Sequence, residues 1–296
     1  MQQRSLFPNG FEVQEQALAA LRELHVSKAL VYVRRARSLQ TKLVGLDELE
    51  RALEWLEIRV VEPPSVEGAV AAFAALPAAA ARGDLDADAV ALVETGLAGF
   101  LAPRLPDRPG FLDAEQTVPS PRVALLRGDA RVARAGCEEL LGAGHGDHAG
   151  LWFDHADACW LEQRRGEANA SYVRALLLGA RDGHAYRCRC EPLRGLWLSL
   201  VGGARGFAAA ADLLLAEAWI AGVLTIAPGN GWLSAAQRRL VHERSEQSPA
   251  WRFSTRVYLD RSAGAGNCDV ESREEMAVLL PDLFARFVAA VAARQG

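Results

Sequence analysis

Apolar residues recur at helical spacing along most of this 296-residue chain, and only short breaks separate the periodic segments. Val13, Ala17 and Leu21 follow four-residue steps, which place them on one face of an α-helix. After a break at 25–27, the segment 28–39 continues the same spacing. Two helices joined by so short a turn must run antiparallel, so the pattern predicts a helical hairpin.

The same spacing predicts ten further helices, at 47–58, 66–81, 88–101, 129–141, 151–163, 166–178, 186–200, 207–221, 234–246 and 272–294. Asp47 and Glu50 predict a cap at the start of the first of these. β-Branched and aromatic residues are sparse, which disfavours a β-rich fold, although 251–259 has a strand-like composition and its conformation stays open. We therefore predict an all-α fold of stacked antiparallel helical hairpins, of the α-solenoid or right-handed superhelix type.

Five prolines fall between residues 102 and 122, and this density favours a linker or an irregular excursion. We therefore predict two sub-domains. The N-terminal helical sub-domain spans 1–101, the Pro-rich linker or excursion spans 102–122, and the C-terminal helical sub-domain spans 123–296.

Charge and cysteine content limit the partners and the compartment. The formal net charge is −4 with both signs interspersed, so no basic face predicts a nucleic-acid partner. Five cysteines, an odd number, are typical of free thiols in a reducing compartment. The apolar stretch 206–224 is interrupted by Asp212 and Glu217, and residues 1–10 have no apolar signal core. These features together predict a cytoplasmic protein without a membrane partner. Separately, the amino-acid composition is bacterial-like.

In the region 151–180, large and small residues lie at fixed offsets along two predicted helices. Trp152 is followed by the small Ala156, and the small Ala168 is followed by Tyr172. The two alanines let the helix axes approach, while Trp152 and Tyr172 fill the space on either side. With these residues the region resembles a tetratricopeptide repeat. The resemblance implies a protein- or peptide-binding scaffold or adaptor, without enzymatic activity and without a cofactor.

Three residues depart from the pattern of that family. His155 stands where leucine is usual, Cys159 where tyrosine is usual, and Ala180 where a closing proline is usual. The flanking segments 128–142 and 186–221 match the pattern only in part, so the resemblance covers well under half of the chain.

Phe153, Asp157 and Trp160 form a stripe on the helix 151–163, beside the stripe that faces the partner helix. In proteins with this repeat the first helix of each hairpin lines the concave surface, so the resemblance makes these three residues the predicted binding face. Two aromatic rings beside a carboxylate would hold an apolar side chain next to a basic or amide group, and an acidic peptide terminus fits poorly. In the alternative, Phe153 and Trp160 pack against the neighbouring hairpin.

His145, His148, His155 and Cys159 are the candidate metal ligands. They lie in a cluster with Asp147, Asp154 and Asp157, and imidazole with carboxylate ligands suits zinc, iron or manganese. His155 and Cys159 lie four residues apart and share a helix face. In the alternative, His145 and His148 lie in a solvated glycine-rich loop, while His155 and Cys159 face the partner helix. This alternative is the one we predict, so we expect no metal.

His184, Cys188 and Cys190 form a second group with potential ligands for a soft metal. If 186–200 is helical, side chains two residues apart point about 200° apart, so the two thiols cannot share an ion. We expect them to be buried and inert thiols.

No segment has a strong catalytic motif, and we predict no catalytic residue. The leading hypothesis is a scaffold or adaptor whose hairpins bind a protein or peptide. One alternative is an enzyme or sensor with a metal held between His145 and Cys159. A further alternative is a structural homo-oligomer in which hairpin faces pair between chains.

Overall fold

A computed structural model describes residues 10–39, 43–106, 108–179, 188–203, 206–228, 248–263 and 270–294. In these ranges the chain forms fourteen α-helices and no β-strand, which confirms the predicted all-α fold. Consecutive helices pack against one another as hairpins. Within the same ranges, no helix has both the length and the apolar composition needed to cross a bilayer.

The helices are α1 Gly10–Arg22, α2 Val26–Leu39, α3 Leu46–Glu57, α4 Val66–Arg82, α5 Ala87–Leu101, α6 Ser120–Leu126, α7 Ala130–Gly142, α8 Ala149–Leu161, α9 Arg165–Leu177, α10 Glu191–Gly202, α11 Gly206–Ile220, α12 Pro249–Ser262, α13 Val270–Leu279 and α14 Pro281–Ala293. A 3₁₀ turn, Ala102–Arg104, follows α5. The chain divides into two compact units, 1–136 and 137–296.

In the first unit, α1 and α2 form the predicted hairpin, and α5 packs against α1, α3, α4 and α6. Two glycines allow α5 to approach α1 closely. A Cβ atom at Gly96 would lie 2.6 Å from Leu21 Cδ1, and one at Gly99 would lie 3.2 Å from the carbonyl oxygen of Arg22. Any larger side chain at Gly96 would therefore push the two helices apart.

The predicted cap at Asp47 is wrong. Helix α3 begins one residue earlier, at Leu46, and follows Gly45, whose φ of 83° is a left-handed conformation that favours glycine. Asp47 instead lies in the first turn, where its carboxylate pairs with Arg37 and complements the positive end of the helix dipole.

The Pro-rich segment contains a hydrogen-bonded turn and belongs to the first unit. The N–H of Leu112 donates to the carbonyl of Val118 over 2.9 Å, and the Asp113 carboxylate accepts from the N–H groups of Thr117 and Val118. Burial acts to raise the pKa of Asp113, but the hydrogen bonds from Thr117 and Val118 outweigh it and lower that pKa. The turn is thus held by an ionised carboxylate.

Proline residues mark where helices begin near the C-terminal end. The segment 251–259, with its strand-like composition, is helical and lies within α12. Ser248 caps that helix and Pro249 occupies its first turn, so local start signals favour a helix. The segment 272–294 was predicted to be helical with a kink or break at Pro281, and the structure has the break, because proline cannot donate a backbone hydrogen bond inside a helix. The predicted helix 234–246 lies outside the described residues.

In the second unit, α8 and α9 form a hairpin, and α11 packs against α9, α10, α12 and α14. Two buried carboxylates in this unit are matched by arginines on neighbouring helices. Asp260 accepts hydrogen bonds from Arg273, and Glu217 accepts two from Arg286 at 2.8 and 2.9 Å. Because a buried charge is costly without a partner, these pairs fix how the helices dock.

Ala156 and Ala168 are fully buried in the α8–α9 hairpin. Replacing Ala168 with Leu should lower the free energy of unfolding by about 1–3 kcal/mol, because the contact has no room for the added carbons. Ala289→Leu, on the exposed side of α14, is the matched control and should change the free energy little. Urea unfolding curves measure both variants. An unchanged midpoint for Ala168→Leu would contradict the close packing of α8 on α9.

Candidate binding site beside the α8–α9 hairpin

The predicted binding face is largely enclosed. Phe153 is 0% exposed and Asp157 is 2% exposed, whereas Trp160 is partly exposed. The ring of Phe153 packs edge-on against Tyr172 of α9, with 5.3 Å between the ring centroids. Only Trp160 therefore offers an accessible surface to a partner, and its role in binding stays a prediction.

The enclosure of α8 explains this difference. Residue spacing can separate a packing stripe from a binding stripe only where one side of the helix remains open to solvent. Here nine of the 13 residues of α8 are buried, because α9 covers a wide face and the segment 188–190 covers another side. The spacing of apolar residues along a helix does not show how many other segments pack against that helix.

Asp157 joins three parts of the second unit. Its Oδ1 atom accepts a hydrogen bond from the Tyr172 hydroxyl at 2.5 Å and another from the backbone N–H of Arg189 at 2.8 Å. Burial raises the pKa of Tyr172, and the nearby negative charge of Asp157 raises it further, so the phenol keeps its proton and remains a donor. Asp157 therefore holds the segment before α10 in place, and its role in ligand binding stays a prediction.

Cys188 and Cys190 lie in that segment, which is not helical. Helix α10 begins at Glu191, not at Tyr186 as the pattern predicted, so the reason for placing the two thiols on opposite faces does not hold. Both side chains are buried free thiols, which confirms their expected burial. The helical geometry that was expected to separate them is wrong, because residues 188–190 precede the helix. His184 lies outside the described residues.

A cavity of about 600 Å³ opens beside these groups. Its walls are formed by the end of α8, the first turns of α9, Cys190 and the segment after α11, and its lining residues are Trp160, Arg165, Gly166, Asn169, Ala170, Tyr172, Cys190, Val223, Leu224, Thr225 and Ala227. This volume lies within the range of small-molecule and side-chain binding sites. Sequence spacing predicted Trp160 but not the remaining walls.

Arg165 gives the cavity a positive group. Its guanidinium lies 3.4 Å from the centroid of the Trp160 ring and donates to the Gln163 side-chain oxygen and the Trp160 carbonyl, which are neutral acceptors. Among the described residues that line the cavity, Arg165 is the one charged side chain. Asp157 is buried and is not among the cavity residues, so its charge gives no reason to expect that the cavity excludes an acidic ligand.

Two hydrogen bonds between the Asn169 side chain and the Thr225 backbone hold the cavity wall that follows α11. Asn169 donates from its side-chain nitrogen to the Thr225 carbonyl at 2.7 Å, and its side-chain oxygen accepts from the Thr225 N–H at 2.8 Å. This two-bond contact ties α9 to the segment after α11. The apolar side chains of Val223 and Leu224 therefore keep a fixed position beside the cavity.

The candidate metal ligands lie apart from this cavity. The Nδ1 atom of His148 accepts a hydrogen bond from the N–H of Leu151 and caps α8. His155 faces α9, where its Nδ1 atom is hydrogen-bonded to the Ser171 hydroxyl at 2.8 Å and Cys159 Sγ lies 3.7 Å away. In the part of the chain that the structure describes, no three His, Cys, Asp or Glu side chains are grouped so that they could hold a metal ion.

His145 lies in the loop before α8. Its backbone N–H donates to the carbonyl of Leu140, and its own carbonyl accepts from the N–H of His148. Backbone hydrogen bonds therefore order the loop around His145. His145 lies in this loop, whereas His155 lies inside the α8–α9 hairpin.

The chain matches no protein-family model, and no curated protein or solved structure is significantly similar to it. The all-α fold with hairpin packing is therefore established by the structure alone. The cavity is described by its own residues, with no relative to assign them a role.

Proposed function

We propose that this protein is a tetratricopeptide-like adaptor that binds a peptide segment of another protein in the cavity beside the α8–α9 hairpin. The observation that supports this most is the Trp160–Arg165 pair at the edge of a cavity with apolar walls. Aromatic and arginine side chains dominate the binding energy of many protein interfaces.

The lining indicates the kind of peptide. Val223, Leu224 and the Trp160 ring suit one apolar side chain of the ligand. The guanidinium of Arg165 suits a carboxylate, which it can bind with two parallel hydrogen bonds. We therefore propose a short extended segment with an apolar residue next to an acidic side chain or a terminal carboxylate.

The other hypotheses remain proposals without a supporting contact among the described residues. A metal enzyme or sensor would need ligands that converge, and a homo-oligomer would need an unmatched hairpin face. Neither has a specific observation in its favour comparable with the Trp160–Arg165 pair.

Peptide selection followed by affinity measurement tests the proposal. A displayed library of short peptides is selected on the full-length protein, and fluorescence anisotropy gives the affinity of the selected sequences. Arg165→Ala should weaken binding by about tenfold or more, since a hydrogen bond to a charged group contributes about 1.5–3 kcal/mol. Trp160→Ala should weaken binding to a similar extent, with the fold retained.

Arg164→Ala is the matched control. Arg164 precedes Arg165, pairs with Glu167 and is not among the cavity residues, so its loss should leave the affinity unchanged. Equal effects of the two arginine substitutions would show general charge attraction and contradict a site at Arg165. If no peptide binds more tightly to wild type than to Trp160→Ala, the proposal fails.

A further inference from the structure

We propose that the first unit has a docking surface of its own, a groove beside α4 that binds a basic, amphipathic peptide segment of a partner protein. Residues 67–75 of α4 form one wall of this groove, and the turn 112–117 forms the other. We call it the α4 groove. It shares no residue with the cavity beside the α8–α9 hairpin, so the inference goes beyond the adaptor proposal and does not depend on it.

The α4 groove has a floor of small apolar groups and a volume of about 650 Å³. Val70, Ala71, Ala74 and Ala75 lie at helical spacing on one side of α4, and Leu112 adds apolar surface from the turn. Ala71 is exposed, and Ala74 and Ala75 are partly exposed. Because alanine side chains end at Cβ, the backbone of a ligand can come close to α4. An apolar side chain of that ligand then fits between the two walls.

The rim of the groove is acidic on both walls. Glu67 lies in the first turn of α4, Glu115 lies in the turn 112–117, and both side chains are exposed. In the part of the chain that the structure describes, neither carboxylate has a hydrogen bond or an ion pair with another side chain. Asp113 adds a third carboxylate, and no arginine, lysine or histidine is among the described residues that line the groove. The charge of the groove is therefore uncompensated from within.

The turn that forms the second wall is held in place by its own hydrogen bonds. The Asp113 carboxylate accepts hydrogen bonds from the N–H groups of Thr117 and Val118, and the Leu112 N–H donates to the Val118 carbonyl. These bonds leave Glu115 pointing away from any acceptor role in the turn itself. A ligand thus meets a wall that is already formed, which lowers the entropic cost of binding.

Charge complementarity identifies the occupant. An apolar floor between carboxylates on two sides suits a peptide that carries lysine or arginine side chains around an apolar residue. Nucleic acids and anionic membranes carry phosphates, which the three carboxylates repel. The cavity at Arg165 is proposed to take an acidic peptide, so the two sites would select peptides of opposite charge.

Selection of a displayed library of short random peptides on the full-length protein tests the proposal, with affinities measured by fluorescence anisotropy. Wild type should enrich sequences that combine several basic residues with apolar ones. The double variant Glu67→Lys/Glu115→Lys should bind these peptides at least about tenfold more weakly, because attractive charge contacts become repulsive. Ala71→Trp should weaken binding to a similar extent, because the indole fills the groove.

Two matched controls separate the groove from general effects. Glu54→Lys/Glu57→Lys makes the same change in net charge at exposed residues of α3 that do not line the groove, and it should leave the affinity unchanged. Ala78→Trp adds the same indole at an exposed position of α4 outside the groove and should also bind normally. Urea unfolding checks that each variant is folded. If Ala71→Trp is not, the double lysine variant decides, since both of its substitutions are at exposed positions.

Three outcomes would overturn the inference. One is a selection that enriches no basic amphipathic peptide. The second is equal weakening by the two double lysine variants, which would indicate attraction to the overall charge of the protein. The third is self-association of wild type, seen by light scattering and lost in Glu67→Lys/Glu115→Lys, which would make a second copy of this chain the occupant. Arg165→Ala should leave the basic peptides bound, so loss of the acidic peptides alone would contradict only the adaptor proposal.

Discussion

Replacing Phe153 with Ala should lower the free energy of unfolding by about 3–5 kcal/mol. Phe153 is fully buried, and its ring packs edge-on against Tyr172. The truncation leaves a cavity between α8 and α9 and removes an aromatic pair that itself contributes about 0.5–1.5 kcal/mol. The expected loss is a large share of the stability of an ordinary domain.

Trp160→Ala, on the same helix, is the matched comparison. Trp160 is partly exposed, so its truncation should lower the free energy of unfolding by about 1–2 kcal/mol, through the contact with Arg165 and part of its apolar area. Urea unfolding followed by circular dichroism measures both variants. If Phe153→Ala changed the free energy of unfolding little but abolished peptide binding, Phe153 would belong to the binding face as predicted.

Asp157→Ala should lower the free energy of unfolding by about 2–5 kcal/mol. The substitution leaves the buried Tyr172 hydroxyl and the partly buried N–H of Arg189 without their shared acceptor. It also releases the segment 188–190 from α8. We therefore expect Cys188 and Cys190 to react faster with a thiol reagent in this variant than in wild type.

Asp157→Asn separates the acceptor from the charge. Both hydrogen bonds end on a single oxygen, Oδ1, so the amide oxygen of asparagine can accept them both. The variant should lose clearly less stability than Asp157→Ala, and its cysteines should stay protected. Equal losses in the two variants would show that the charge matters and not the acceptor. Urea unfolding and thiol labelling on the same samples distinguish these outcomes.

The candidate site was predictable only in part. Trp160 followed from helical spacing, because a residue at that register had to lie beside the partner-facing stripe. Phe153 and Asp157 share that register but are buried. Phe153 packs against Tyr172 of α9, and Asp157 is hydrogen-bonded to Tyr172 and to the segment 188–190. Arg165, Asn169 and Thr225 meet at the cavity through contacts that are distant in sequence, and local periodicity has no information about such contacts.

The cysteine pair illustrates the same limit. Helix α10 begins at Glu191, so Cys188 and Cys190 both precede it and helix geometry does not place them on opposite faces. Helix ends are the least certain part of a pattern, because caps and tertiary contacts compete there with propensity.

The sequence by itself determined the helical class, the α1–α2 and α8–α9 hairpins and the small residues at the contact of α8 with α9, because these depend on spacing within one or two helices. Only the tertiary structure decided which helix faces remain open and which distant residues enclose the cavity. The physical reason is that burial depends on the number and direction of the neighbours of a helix. Those neighbours are set by pairings such as Asp157 with Arg189 and Asn169 with Thr225, which no repeat of three or four residues encodes.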